Sequence, residues 1–83
     1  MADSGEHIDP EQAKRVLEVL CAKYGFCLPP LWRARLIDCP PRSAEKFVHT
    51  VFAAEGLNPH AVDPKLLRSV HQEVREAFDR SST

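Results

Sequence analysis

Seven prolines in 83 residues set the first limit on what this chain can fold into. Proline has no amide hydrogen and a nearly fixed φ, so it opens helices and interrupts β-ladders but is not tolerated inside either. Pro29–Pro30 and Pro40–Pro41 fence off the stretch from Cys27 to Pro41, while Pro10 and Pro64 each follow an aspartate, Asp9 and Asp63. Asp-Pro is a helix start, because the carboxylate accepts from the orphan amides and proline suits the first helical position. Each interval between these marks must therefore make its own element.

The intervals carry a helical period. Ala13, Val16, Leu17, Leu20, Cys21 and Tyr24 fall on one face, with Gln12 placed to complete a variant capping box, Gly25 as a left-handed stop and Phe26 folding back on Cys21. Ser43 caps a second helix whose apolar face is Ala44, Phe47, Val48, Val51 and Phe52, ended by Gly56 with Leu57 turned onto Phe52. A third opens at Asp63 and buries Leu66, Leu67, Val70, Val74, Ala77 and Phe78, with Glu76 and Arg80 as an exposed i,i+4 pair and fraying near Asp79 or Arg80. Leu31 to Ile37 has room for about two turns, started by Pro30 and ended at Asp38. No segment alternates apolar and polar residues, so no sheet is expected.

The expected fold is all-α: a small bundle of three longer helices, about 10–24, 43–55 and 63–79, plus one short helix, about 30–38. Residues 9–80 make a single helical domain. Residues 1–8, where Ile8 is the one large aliphatic after Met1, and residues 81–83 are expected to be tails with nothing to pack. With an offset of 31, Ala13, Ala22 and Gly25 match Ala44, Ala53 and Gly56. Two tandem units would produce that match, but so would any two amphipathic helices stopped by glycine, and a stacked array normally needs three or more repeats.

At 43% apolar and 28% charged, with a net charge of −1, the composition is that of a globular chain. The longest uncharged helical run, Phe47 to Ala54, is far below the roughly 20 residues of a membrane span. The first six residues are acidic and polar where a secretory signal is basic and then apolar. Three cysteines are an odd number and too few for a disulfide framework, which points to a reduced, cytoplasmic protein. On that reading Cys27 and Cys39, outside the long helices, react with thiol reagents faster than Cys21.

Chemistry-bearing motifs are sparse. Cys21, Cys27, Cys39 and His49 have the donor set of a closed zinc shell, but their gaps of 6, 12 and 10 residues lack the tight knuckle that such sites use. His49, His60 and His71 recur every 11 residues, yet the interval crosses the Gly56–Val62 connection and cannot share a helix face. His49 falls on a solvated position; His71, with Leu67, Val74 and Phe78 around it, reads as a core-edge histidine with one ring nitrogen hydrogen-bonded. Ser43 is accounted for as a cap, Ser69 lies on a helix surface, and three isolated glycines can write neither a phosphate loop nor a dinucleotide fingerprint. The expectation is a protein that is not an enzyme, with no cofactor, no metal site and no small-molecule substrate.

Charge is unevenly spread. Residues 1–22 carry two basic and five acidic side chains, residues 23–62 five and three, and residues 63–83 four of each. Arg33, Arg35, Arg42 and Lys46 flank Trp32, a combination suited to phosphate and base contacts. Against a nucleic-acid-binding regulator stand a pI near 6.4 and the want of a good helix-turn-helix: Gly56 to Asp63 is too long a turn, and Phe26 to Pro29, of the right length, leads into a short helix started by proline, a poor recognition helix. The leading reading is a small protein-interaction or regulatory module that presents a helical, apolar and cationic surface to a protein partner or to itself. Phe26, Leu28, Leu31, Trp32, Arg33, Arg35 and Arg42 are its candidate contact residues, because a two-turn helix can turn only about half of the large side chains in this stretch inward.

The cysteine spacing yields a direct test. A chelator such as EDTA is expected to leave the thermal unfolding curve unchanged, whereas a large fall in melting temperature restored by zinc would establish a structural metal.

Overall fold

The structure, a computed structural model, describes residues 7–58 and 60–82. Four helices follow one another, α1 (Pro10–Tyr24), α2 (Pro30–Asp38), α3 (Ala44–Ala54) and α4 (Pro64–Ser82), and no strand occurs among the described residues. This is the expected all-helical bundle with one short member. Helix α4 packs against both α1 and α3, and α2 packs against α1. The body measures 35 × 26 × 18 Å.

The helix ends follow the local grammar with two adjustments. Ser43 Oγ accepts the Lys46 amide at 3.1 Å, and Asp63 Oδ1 accepts the Lys65 amide at 2.8 Å. Asp9, by contrast, caps α1 without a side-chain hydrogen bond, and the Gln12 side chain, expected to complete that cap, has its Oε1 buried with no partner among the described residues. Gly25 and Gly56 both sit in the left-handed region, at φ 76° and 74°. Their closures differ: Gly56 and Leu57 donate to Ala53 and Phe52 in a Schellman arrangement, while Gly25 and Phe26 reach back to Cys21 and Leu20. The 31-residue similarity thus corresponds to shared stop residues, with a different last turn in each helix.

Leu20, Phe47, Val48, Val51, Phe52, Val70 and Val74 are all fully buried, and Ala77 and Phe78 nearly so. Aromatic rings tie the layers: Phe47 and Phe78 meet edge to face at 5.9 Å between α3 and α4, and Phe26 meets Phe52 the same way at 5.4 Å. Lys23 Nζ reaches Glu73 Oε2 at 2.9 Å across α1 and α4, and this hydrogen bond with its attendant attraction holds the ammonium above its ordinary pKa. The Glu76–Arg80 pair forms as expected, at 3.7 Å.

Both expected tails behave differently at their inner ends. Ile8 is buried in the core at 3% exposure, and α4 runs on to Ser82. Ser81 is buried: its hydroxyl accepts the Asp9 amide at 2.9 Å and donates to the Ala77 carbonyl at 3.0 Å. The reason is a long-range partner invisible to local pattern, since the end of α4 and the residue before α1 satisfy each other's polar groups. Residues 1–6 and 83, the remainder of those tails, lie outside the described residues.

Truncating the core should be severe. Leu20→Ala is expected to cost about 2 to 5 kcal/mol, a large share of a total on the order of 4 to 12 kcal/mol for a chain this size. Ser81→Ala should cost about 1 kcal/mol through the orphaned Asp9 amide. Chemical denaturation of both variants checks the pair, and a wild-type midpoint for Leu20→Ala would show that the core lies elsewhere.

Candidate interaction surface

Helix α2 owes its position to what precedes it. Phe26 and Leu28 point inward, at 7% and 6% exposure, while Cys27 between them is exposed. The left-handed turn at Gly25 brings the chain back over the end of α1, with 4.4 Å between the Cα atoms of Cys21 and Cys27, and these two cysteines form a disulfide. This corrects the expectation of three free thiols. Six residues of separation look too loose for a bridge until the glycine turn folds them together. It also removes the free-thiol ground for expecting a reducing, cytoplasmic setting. Cys39 is the free cysteine, and it is exposed.

After Pro29, Pro30 opens α2 with no side-chain cap, and the Arg33 amide donates to the Pro29 carbonyl at 3.0 Å. The first turn carries no acid, and Asp38 stands at the last position, where the helix dipole disfavours a carboxylate. Leu36 is the residue α2 buries fully, with Trp32 and Ile37 packed half-buried against the core.

The expected contact residues therefore divide. Phe26 and Leu28 belong to the core and leave the surface, because a chain this small uses large side chains near a helix stop to seal its interior. Trp32 is half-buried, and Arg33 is half-buried with its guanidinium 4.0 Å from Glu18 on α1. Leu31, at 72% exposure, is the most exposed large apolar side chain among the described residues, and Arg35 and Arg42 are exposed. Leu31, Ala34, Arg35, Asp38 and Cys39 line a shallow hollow of about 370 Å³ along the outer side of α2. Ala34, Asp38 and Cys39 were not among the expected contacts. Their spacing of 3, 7 and 8 from Leu31 is the sequence signal that marks them once Leu36 is known to face inward.

A larger open hollow, about 640 Å³, follows α4 from Pro64 to Glu76 and includes Leu67, Arg68 and His71. His71 is half-buried, as expected of a core-edge residue, but no hydrogen bond to its ring is found among the described residues; His49 is exposed, as expected. The acid on this slope, Glu76, is engaged within the helix by Arg80 and by Gln72. Among the described residues no group of three or more His, Cys, Asp or Glu could hold a metal ion, and no helix is long and apolar enough to cross a membrane. The chain matches no known protein family, curated protein or solved structure.

The disulfide sets a countable outcome. A thiol titration of the native, unreduced chain should find one reactive cysteine, Cys39, and three after reduction. Reduction should lower stability by about 2 kcal/mol, the chain-entropy value for a seven-residue closed loop. Finding three reactive thiols before reduction would show that the bridge is absent.

Proposed function

We propose that this chain is a non-enzymatic protein-interaction module that engages a protein partner through the outer face of α2. The observation that carries the reading is Leu31, which leaves most of a large apolar side chain in water on a helix whose neighbouring positions are cationic and small. An exposed aliphatic with Arg35 beside it on the same face, and the exposed Arg42 beyond the end of the helix, has the make-up of an interface centre with a charged rim. The prolines before and after α2 stiffen it, and the Cys21–Cys27 bridge fixes the chain leading into it, so little order has to be gained on binding. Nucleic acid is the weaker reading, since Trp32 packs against the core and Arg33 lies beside Glu18, which removes two of the five residues proposed to touch it.

Leu31→Asp separates the possibilities without disturbing the core. Proteins captured from the source cells by the tagged wild type should be lost with Leu31→Asp, at unchanged helical content. An identical set from both would remove α2 from the interface. Anisotropy with labelled duplex DNA at physiological salt should show no saturable binding; tight, steeply salt-dependent binding lost on charge reversal of Arg35 and Arg42 would instead favour the nucleic-acid reading.

A further inference from the structure

Resting on that reading of α2, we propose that the partner it takes is a second copy of this chain, with the two α2 helices antiparallel about a two-fold axis that passes between Arg35 and Asp38. Arg35 and Asp38 lie on the same outer face, three residues apart. Neither side chain has an ion pair or hydrogen bond among the described residues, and Asp38 stands at the negative end of its own helix dipole, so a cation brought from outside relieves it. A cation and an anion side by side are self-complementary under a two-fold rotation: Arg35 of each copy meets Asp38 of the other, as an isologous interface requires. A parallel pairing sets arginine against arginine and aspartate against aspartate, so the charge pattern itself selects the antiparallel one. Ala34 is the small residue that lets the axes approach to about 8 Å, and Leu31 of each copy comes to lie toward the Cys39 end of the other.

Size fixes the strength. A nine-residue helix is about 14 Å long, so two such faces bury less than the roughly 1,200 Å² of a stable specific complex, and the pairing is weak and concentration-dependent. The register also places Cys39. Each lies two and a half residues from the axis, so the two are about 7.5 Å apart along helices whose axes are 8 to 10 Å apart, each Cα standing about 2.3 Å off its axis. The resulting Cα separation of about 8 to 12 Å exceeds the roughly 7 Å limit for a direct disulfide and falls within reach of a short bismaleimide.

Sedimentation of the full, unreduced chain up to millimolar concentration provides the test. The mass is expected to rise from 9.4 kDa toward twice that value, and a short bismaleimide should link two copies in a manner abolished by Cys39→Ser. Arg35→Asp and Asp38→Arg should each weaken association at least about tenfold by facing like charges, and the double reversal should restore it. A wild type that stays monomeric at millimolar concentration, association untouched by the single reversals, or no recovery in the double variant would each overturn the pairing. A monomer whose captured proteins are still lost with Leu31→Asp overturns the second copy as partner and leaves the interaction reading in place; if Leu31→Asp changes neither, both fall.

Discussion

Helix α4 lies against both α1 and α3, and the strip it offers them, Val70, Val74, Ala77 and Phe78, is almost completely removed from water. That burial is the constraint on which the remaining arrangement depends. With α1 and α3 committed to α4, the connection between them has to travel over the bundle, and α2 is the part of that connection which can form hydrogen bonds internally. A helix in this position covers the edge of α1 with Leu36, Trp32 and Ile37 and has no second layer to bury its outer side. The exposure of Leu31 is thus a result of layer geometry: the chain runs out of neighbours before it runs out of apolar residues.

How much of this could be read in advance depends on the range of the interaction involved. Ser43, Gly56 and Asp63 act on amides and carbonyls within five residues, and their roles as caps and stops are legible from sequence because nothing distant competes with them. Ile8 and Ser81 were unreadable as packed positions for the opposite reason: the Ser81 hydroxyl is held by the Asp9 amide 72 positions away, and Ile8 is buried only once the core has assembled. The Cys21–Cys27 bridge falls between: Gly25 was identifiable as a left-handed stop, but the proximity it creates depends on the turn and on Phe26 being drawn into the core, which spacing alone does not express.

The exposed face of α2 was legible in composition and not in orientation. About half of the six large apolar residues between Phe26 and Ile37 were expected outside, but Phe26 and Leu28 precede the helix and join the core, Leu36 is buried, Trp32 and Ile37 pack half-buried against it, and Leu31 is left exposed. That Leu31 is the one left out follows from the entry angle of α2, set by the inward Phe26 and Leu28 and the outward Cys27. Once Leu36 faces in, helical geometry places Leu31, Arg35 and Cys39 on one outer line. Arg33 illustrates the converse: its charge suggested a surface role, while its neighbour Glu18 ties it to the body of the bundle.

The hydrogen bond from the Asp9 amide to Ser81 brings together residues 72 positions apart, so the described chain is nearly a closed ring. Such a ring can be opened at another point without altering the packed layers. The connection from Gly56 to Asp63, whose described residues are mostly exposed, is where new ends would disturb least, leaving α4 first in order and α3 last. A circularly permuted chain of this kind would place α4 ahead of the other three helices, offering α1 a preformed surface to dock on as it emerges.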